Sequence, residues 1–386
     1  MPTTVVLAGG RSSRFGDDKT RALLRERPLL DQALDGLPET SRIIVVGEPR
    51  DTDRTVEWVR ESPSFSGPLA ALAAALPLIT DDEFALIAAD MPYAATALPE
   101  LRLTLRSGPA DAVVATDADG RRQPLLAAYR TAAARRGMPT DPTDQPMRAL
   151  LQQLTVTTLP VEDSAVWDVD TVEDLHAMER RQREADLVTY YDAEATDRRD
   201  HPLPEQRIDH RDAFITVLHA EGRERVLEVG TGPGRDAIGF RDAGFQLRGV
   251  DLAPASVAVC RTAGLDVQVA SALELPFATG SFDAAYTAST LLHVADADLP
   301  TALGEIVRVV TPGAPVAIGL WGAPQSRTEH WGGGHYGPAR FFALRSDEVL
   351  RDAVTKHGRI ERFETWPATD GTDLHYQWLV LRTPRD

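Results

Sequence analysis

A glycine turn followed by basic residues lies near the start of the chain. The apolar run Val5-Val6-Leu7 leads into Ala8-Gly9-Gly10, and Arg14 and Lys19 follow shortly afterwards. Glycine lets backbone N–H groups close around an anion because it has no Cβ, and the two basic side chains add positive charge. Lys19 is one of only two lysines among 41 basic residues, and its compact ammonium suits a phosphate. The pattern therefore indicates a nucleotide-phosphate site rather than a solvated loop.

Acidic residues occupy two further places where apolar segments end. Asp90 follows an apolar run, and Asp168 and Asp170 lie in an extended segment before a helical pattern. Mg²⁺ takes oxygen ligands and shares them with phosphates, so a carboxylate at the end of a buried strand is well placed to hold it. Side chains alternate along an extended segment, and we expect Asp170 rather than Asp168 to face the site. The alternatives are structural: Asp90 as a helix N-cap, and Asp170 or Thr171 as a cap with Glu173 near a capping-box position.

A second glycine-rich turn lies in the C-terminal half. Glu228 precedes Gly230-Thr231-Gly232-Pro233-Gly234, which has the spacing E-x-G-x-G-x-G. A dinucleotide site would favour G-x-G-x-x-G, but Arg235 occupies the place of the last glycine of that pattern. Asp251 ends the next apolar run, where it could accept hydrogen bonds from both hydroxyls of a ribose. The structural alternative for Asp251 is a helix cap.

In each half of the chain, strands must bring the candidate site residues to one edge of a sheet. In the first half, apolar strand patterns alternate with helical ones, and the strands are expected at 4–7, 42–46, 85–89, 112–115 and 155–159. The same alternation recurs in the second half. It ends in two strands, expected to pair antiparallel, at 360–366 and 374–382. We therefore predict an α/β protein with two Rossmann-like three-layer domains in tandem, whose ligands bind at the carboxyl ends of the strands.

Composition excludes several classes of function. The formal net charge of −17 argues against a general nucleic-acid or anionic-membrane binder, because both need a positive face. The single cysteine, Cys260, excludes an intrachain disulfide and a multi-cysteine zinc site. No signal-peptide pattern precedes the first strand, and no apolar run approaches the roughly 20 residues of a membrane span. We expect a cytoplasmic protein with small-molecule partners.

The run from Leu7 to Lys19 resembles, without a gap, the opening signature of the molybdenum-cofactor guanylyltransferases. Gly67-Pro68-Leu69-Ala70 and the segment around Asp168 and Asp170 resemble later motifs, although Ala71 stands where glycine is usual. The resemblance implies Mg²⁺-dependent transfer of GMP from GTP to molybdopterin, with release of pyrophosphate. It implies catalytic roles for Arg14, Lys19 and Asp90. The nucleotide would be bound by Leu7, Ala8, Gly9, Gly10, Lys19, Glu61 and Asp90, and the metal by Asp90 and Asp170. Glu61 lies in a region expected to read guanine, because a carboxylate accepts from guanine N1–H and N2–H.

The second glycine turn resembles motif I of the class I S-adenosylmethionine-dependent methyltransferases. One departure from that family is Ser271, which stands where an aspartate usually contacts the adenine amino group; its hydroxyl can still accept one hydrogen bond. The aromatic segment 321–342 is expected to form a substrate lid, and His293 to contact cofactor or substrate unless it is structural. The resemblance implies that S-adenosylmethionine is bound by Glu228, Gly230, Gly232, Gly234, Asp251, Ser271 and Ala272.

We expect the domain boundary near residue 186, which gives domains 1–186 and 187–386. Together the two resemblances predict a bifunctional transferase. Three alternatives remain: a cytidylyl- or other nucleotidyltransferase in the first half, one half acting as a non-catalytic ligand sensor, and a dehydrogenase-like second half. The pair Gly9-Gly10 favours GTP, because cytidylyl relatives more often carry Ala-Gly there. The methyl acceptor and the oligomeric state are left open.

Overall fold

The computed structural model describes residues 2–9 and 19–385, and these form two compact units that divide between Glu179 and Arg180. Each unit contains one large sheet with helices, which confirms the expected pair of α/β domains. The division lies slightly before residue 186, where the sequence pattern had placed the boundary. Among the described residues, no helix combines the length and apolarity that a membrane span requires.

The sheet of the first unit is mostly parallel. The strands are β1 (Thr3–Leu7), β2 (Leu23–Leu24), β3 (Arg27–Pro28), β4 (Arg42–Val46), β5 (Glu57–Val59), β6 (Glu83–Ala88), β7 (Ala112–Thr116), β8 (Arg122–Arg130) and β9 (Val156–Pro160). The main sheet has the order β5-β4-β1-β6-β8-β7-β9, and β2 and β3 form a separate ribbon. Strand β8 runs antiparallel to both of its neighbours, while the other pairings in the main sheet are parallel. The five expected strands are confirmed, whereas β5 and β8 of the main sheet and the β2–β3 ribbon were not predicted.

Helices cover both faces of this sheet. The helices of this unit are α1 (Leu29–Asp35), α2 (Gly67–Ala75), α3 (Leu98–Ser107), α4 (Thr131–Gly137), α5 (Arg148–Leu151) and the start of α6 (Val172–Asp200). Side chains alternate along a strand, so Val6 packs with α1 and α3 on one face while Val5 packs with α2, α4 and α5 on the other. The central strands are apolar on both sides for this reason.

Helix α6 is longer than its charged N-terminal pattern predicts. The sequence indicates a helix over residues 171–186, but the helix continues to Asp200, so the unit division falls inside it. The first proline beyond the expected end is Pro202, and no helix breaker stands between Asp186 and Asp200. The charged segment and Tyr190-Tyr191 therefore belong to one continuous element.

The second unit contains a seven-stranded sheet and a separate hairpin. The strands are β10 (Arg225–Val229), β11 (Gln246–Asp251), β12 (Asp266–Val269), β13 (Ala284–Ala288), β14 (Pro315–Gly322), β15 (Arg327–Gly334), β16 (Gly337–Leu344), β17 (Arg359–Pro367) and β18 (His375–Arg382). The sheet order is β12-β11-β10-β13-β14-β18-β17, and β15 pairs with β16. Strand β18 runs antiparallel to β14 and β17, which confirms the expected final antiparallel pair.

Helices cover both faces of this sheet as well. The helices of this unit are the remainder of α6, α7 (Glu205–Ala220), α8 (Arg235–Asp242), α9 (Pro254–Thr262), α10 (Leu299–Val309) and α11 (Asp347–Thr355). Leu227 of β10 packs with α10 and α11, whereas Val226 packs with α7, α8 and α9 on the opposite face. The glycine turn after β10 therefore opens at the carboxyl edge of a buried central strand.

Candidate functional site

Three strands of the first unit meet at the edge where the opening turn begins. Ala8 N donates to Val46 O at the end of β4 (2.8 Å), and Ala89 N, just after β6, donates to Leu7 O (3.0 Å). Leu7 and Ala8 are buried, whereas Gly9 is exposed. Parallel pairing thus brings the opening turn and the segment after β6 together, as expected for a ligand site in an α/β sheet.

Lys19 lies between two carboxylates at this edge. Its Nζ is 2.6 Å from Asp90 Oδ2 and 2.6 Å from Asp170 Oδ1. Burial alone would lower the pKa of Lys19, but the charges and hydrogen bonds of Asp90 and Asp170 raise it above its ordinary value. Lys19 therefore contacts both Asp90 and Asp170, as the sequence predicts for one shared site. Lys19 and Asp170 are 151 residues apart in the chain.

A capping box leaves the Asp170 side chain available for this contact. Thr171 Oγ1 accepts from Asp174 N (3.1 Å), and Asp174 Oδ2 accepts from Thr171 N (2.8 Å), which is the reciprocal pattern of a capping box. Asp174, not Glu173, is the capping partner. Asp90 joins the same segment through its backbone, because Val169 N donates to Asp90 O (3.1 Å).

Glu61 lies beside the opening turn with one carboxylate oxygen unsatisfied. A Cβ built on Gly9 would stand 3.7 Å from Glu61 Oε1, so the two residues are neighbours. Glu61 Oε1 accepts from Phe65 N (2.8 Å), whereas Oε2 is buried and accepts no hydrogen bond from the described residues. Gly10 and Arg14, which the sequence assigns to the same site, lie outside the described residues.

The methyl group of Ala71 lies in the core of the first unit. Its side chain is buried in the hydrophobic cluster that includes Val5, Leu7 and Leu69. Within residues 2–9 and 19–385, no group of three or more His, Cys, Asp or Glu side chains is placed to hold a metal ion. The expected metal ligands Asp90 and Asp170 both contact the ammonium of Lys19.

The glycine turn of the second unit has a backbone that glycine favours. Gly230 and Gly232 adopt φ of 78° and 53°, in the left-handed region. A Cβ on Gly230 would lie 1.9 Å from Thr290 Oγ1, whereas a Cβ on Gly232 would meet nothing within 4 Å. Gly230 therefore permits close packing of the turn against the segment after β13, and Gly232 faces open space.

Asp251 fastens this turn from the end of β11. Its Oδ2 accepts from Gly232 N (2.7 Å) and its Oδ1 accepts from Ala253 N (2.9 Å). Burial raises the pKa of Asp251, and these two backbone hydrogen bonds oppose the rise. The carboxylate keeps further lone pairs for a ligand. Glu228 is buried, and burial followed by the charge of Asp236 raises its pKa well above the ordinary value.

A cavity opens beside the turn and contains both charged and apolar walls. It holds about 1120 Å³ not occupied by protein atoms, including the part open to solvent. Arg207 in the wall pairs with Asp236 at 2.5 Å. Arg235 donates to His201 O (2.9 Å), and burial followed by the charges of Arg198 and Arg207 lowers its pKa to about 10. The sequence-predicted residues in its wall are Gly230, Gly232, Asp251, Ser271 and Ala272.

Comparison with known proteins divides the chain in the same way. The family model of the MobA-like NTP transferase domain matches residues 4–158, and that of a methyltransferase domain matches residues 227–318. The chain therefore carries a MobA-like NTP transferase domain and a methyltransferase domain.

Two relatives are each similar to this chain over part of its length. A probable molybdenum cofactor guanylyltransferase of Bacillus anthracis (strain CDC 684 / NRRL 3495) is 33% identical over 133 residues, 32% of this chain and 66% of the relative. The O-methyltransferase resE of Aspergillus sclerotiorum is 32% identical over 110 residues, 26% of this chain and 41% of the relative. The chain thus spans just under two thirds of the first relative and under half of the second.

Solved structures similar to this chain include two methyltransferases. One is the 1,6-didemethyltoxoflavin-N1-methyltransferase of Burkholderia thailandensis with bound 1,6-didemethyltoxoflavin and S-adenosylhomocysteine. It is 22% identical, covers 53% of this chain and 90% of its own, and has a TM-score of 0.42. A methyltransferase of Methanosarcina mazei is 16% identical, covers 42% of this chain and 94% of its own, and has a TM-score of 0.39.

Helix α6 supplies a wall of the methyltransferase cavity that the sequence motifs did not reveal. Its cavity-lining residues recur at helical spacing, which places them on one face of the helix. They are Arg180, Arg183, Glu184, Leu187, Tyr191 and Arg198. That spacing is visible in the sequence, but all six residues lie outside the matched range, and Arg180, Arg183 and Glu184 also lie outside the expected second domain, 187–386.

A buried tyrosine–histidine pair also lines the methyltransferase cavity. Tyr191 Oη lies 2.7 Å from His293 Nε2, and His293 Nδ1 lies 2.8 Å from Phe341 O. A neutral ring that donates from Nδ1 to this carbonyl accepts the Tyr191 hydroxyl at Nε2. Burial lowers the pKa of His293 to about 3, so the ring is neutral near pH 7. His293 therefore lines the cavity with both ring nitrogens bonded to protein groups, and Tyr191 is a cavity residue that the sequence motifs did not reveal.

The aromatic segment expected as a lid is a hairpin packed on helix α6. Strands β15 and β16 pair along most of their length. Tyr336 at the hairpin turn donates to Asp197 Oδ2 (2.8 Å), and a Cβ on Gly332 would lie 3.0 Å from the ring of Tyr190. The segment is thus held by specific contacts within the second unit.

Proposed function

We propose that the MobA-like domain transfers a guanylyl group from GTP to the terminal phosphate of molybdopterin. The proposal rests chiefly on the contact of Lys19 with Asp90 and Asp170, at the edge where the glycine turn leaves β1. It is also supported by the relatives named as probable molybdenum cofactor guanylyltransferases. A phosphate oxygen of the acceptor attacks the α-phosphorus of GTP, the bond to the bridging oxygen of the β-phosphate breaks, and pyrophosphate leaves.

The residues of this site would act through charge and position. Lys19 would neutralise charge on the α-phosphate and the leaving pyrophosphate, and Arg14 would add a second cation. Asp90 and Asp170 offer carboxylate oxygens at one place, which suits Mg²⁺ shared with phosphates, although a three-ligand protein site is absent from the described residues. When bound, Mg²⁺ would neutralise phosphate charge. The protein itself would align donor and acceptor.

Glu61 supports guanine as the base. Glu61 Oε2 is buried and accepts no hydrogen bond within residues 2–9 and 19–385, which costs free energy, and guanine N1–H and N2–H are donors that would satisfy it. Cytosine presents no pair of donors of this kind on one edge. We therefore propose GTP as the substrate and treat CTP as the alternative that the experiment must exclude.

The test is release of pyrophosphate from GTP or CTP in the presence of molybdopterin and Mg²⁺. We expect turnover with GTP and its loss in Asp90→Asn, because the amide cannot supply the negative charge that holds the metal. Asp119→Asn, which changes an exposed carboxylate in a loop, is the matched control and should keep the wild-type rate. Faster turnover with CTP would overturn the choice of base, and unchanged turnover of Asp90→Asn would overturn the role of Asp90.

We propose that the second unit transfers a methyl group from S-adenosylmethionine to a small molecule. The glycine turn and Asp251 at one end of the cavity carry this proposal. Asp251 would accept from the ribose hydroxyls, while Arg207 and Arg235 would attract the methionine carboxylate. The acceptor's lone pair attacks the methyl carbon, the carbon–sulfur bond breaks, and S-adenosylhomocysteine leaves.

Calorimetry tests this second activity. Losing charge-assisted hydrogen bonds costs about 1.5–3 kcal/mol, so Asp251→Ala should weaken S-adenosylmethionine roughly tenfold to a hundredfold. GTP binding to the first unit should stay unchanged in the same variant, which makes it the internal control. Tight NADH binding by the parent protein, lost in Asp251→Ala and without any S-adenosylmethionine binding, would replace the proposal with a dehydrogenase-like domain.

A further inference from the structure

Ser271 and Glu184 form a hydrogen-bonded pair in the wall of the methyltransferase cavity. Ser271 Oγ donates to Glu184 Oε1 at 2.7 Å, and both residues line the cavity. Ser271 follows β12, whereas Glu184 comes from helix α6, 87 residues earlier in the chain. Two segments that are remote in sequence thus meet at one place in the binding site.

The pair lies next to the place proposed for the ribose. Strands β11 and β12 are parallel neighbours with Asp251 opposite Val269, and Ala270 N donates to Asp251 O (3.0 Å). The loop that carries Ser271 therefore begins beside Asp251. A nucleoside whose ribose is held by Asp251 would extend its base toward this loop.

The surroundings of the pair suit a flat heterocycle. Leu252 follows Asp251, Leu273 follows Ser271 by two residues, and Leu187 lies about one turn beyond Glu184 on helix α6, and all three line the cavity. Apolar side chains would cover the faces of a base, and the Ser271–Glu184 pair would meet its polar edge. This is the usual division of labour in a small-molecule pocket.

The hydrogen bonds of Ser271 and Glu184 show which atom of the pair can accept a hydrogen bond from a ligand. The single hydroxyl proton of Ser271 is donated to Glu184, and Ser271 Oγ already accepts from Leu273 N (3.2 Å). Glu184 Oε2 forms no hydrogen bond with the described residues. A carboxylate is an acceptor only, so the pair presents an acceptor for an N–H donor.

Two arginines near Glu184 on helix α6 pair with a different carboxylate. Arg180 and Arg183, on the same face of the helix, pair with Asp298 at 3.2 Å and 3.0 Å. Asp298 therefore pairs with two arginines of this face, and Glu184 forms its hydrogen bond with Ser271.

We infer that Glu184 reads the 6-amino group of adenine, with Ser271 as the residue that positions it. This assignment rests on the proposed binding of S-adenosylmethionine. It places the base-reading carboxylate on helix α6, outside the matched range 227–318. Ser271 stands where an aspartate is usual. Glu184 of helix α6 would then supply the carboxylate that this position lacks.

The experiment compares S-adenosylhomocysteine with S-inosylhomocysteine by calorimetry on the full chain. Inosine has a carbonyl where adenine has its 6-amino group, so the wild type should bind the adenine compound at least tenfold more tightly. In Glu184→Gln, the amide can donate to that carbonyl. The preference for adenine should therefore shrink about tenfold or reverse, while Glu205→Gln, an exposed change in α7, should keep it.

A rescue variant separates base reading from a structural role. Glu184→Ala should lose the preference, and Glu184→Ala combined with Ser271→Asp should restore it, because the new carboxylate would stand on the adenine side of the loop. An unchanged preference in Glu184→Gln, or no restoration by the double variant, would overturn the inference. Failure of the wild type to bind either compound would instead overturn the S-adenosylmethionine proposal on which the inference rests.

Discussion

The two glycine turns of this chain are supported in opposite ways. Around the first turn, side chains of opposite charge hold one another: Lys19 lies between Asp90 and Asp170 at 2.6 Å from each. Around the second turn, the carboxylate of Asp251 is held by backbone N–H groups of Gly232 and Ala253. Under the proposed function, the first arrangement would exchange partners when the nucleotide phosphates and Mg²⁺ bind. The second fixes the shape of the turn before a ligand binds.

The comparison predicts that the first site is most sensitive to loss of charge. Lys19→Met keeps the length of the side chain and removes its ammonium, so pyrophosphate release should fall roughly 100- to 1000-fold. Lys356→Met, which alters the chain's only other lysine at an exposed position, is the matched control. S-adenosylhomocysteine affinity should be the same in both variants; a change confined to Lys19→Met would contradict the contrast drawn between the turns.

The second site should be most sensitive to backbone shape. Gly230→Ala combines a left-handed φ with a Cβ 1.9 Å from Thr290 Oγ1, so it should lower the free energy of unfolding of this unit by about 3 kcal/mol. Gly232→Ala should cost only about 1 kcal/mol of backbone strain, since its Cβ meets nothing within 4 Å.

Ligand affinity should separate the two alanine variants further. Gly232 lines the cavity, so its added methyl group occupies ligand space and should weaken S-adenosylhomocysteine although folding is nearly normal. Denaturant unfolding measures the first effect and calorimetry the second. Equal stability losses in the two variants would show that the contact with Thr290 does not govern the turn.

A smaller effect of pH is expected in the second unit. Burial holds the pKa of His293 at about 3, below its ordinary value of 6.5, and the charges of Arg340 and Arg198 act in the same direction. Below pH 6.5, His293 is therefore protonated in the unfolded chain but stays neutral in the folded chain. The contribution of the neutral His293 ring to the free energy of unfolding is complete above pH 6.5. It is lost as the pH falls toward 3, by about 2 kcal/mol between pH 6.5 and 5.

His293→Gln should remove this part of the pH dependence. Unfolding of the full chain at pH 7 and pH 5 measures it, and the transition that S-adenosylhomocysteine shifts identifies the second unit. His219→Gln, at an exposed position in α7, should leave the wild-type slope unchanged. Identical slopes for the wild type and His293→Gln would show that the ring is not held neutral.

Sequence alone predicted the elements whose signals are local. The apolar runs gave the central strands, and parallel pairing follows from their alternation with helices, so the meeting of Lys19, Asp90 and Asp170 could be expected. Strand β8 was missed because Pro124 and the basic residues at its start are weak strand formers. The shared site of Ser271 and Glu184 could not be predicted, because it depends on how a helix packs rather than on any spacing along the chain.

The continuity of helix α6 constrains how this chain can be taken apart or recombined. A fragment that began at residue 187 would start inside the helix and lack Arg180, Arg183 and Glu184, three residues of the cavity wall. An exchange limited to the matched range 227–318 would leave the whole helix behind. Chimeras with other methyltransferases should therefore be joined before Arg180. The segment that must be transferred to keep the binding pocket intact is longer than the range that the family model matches.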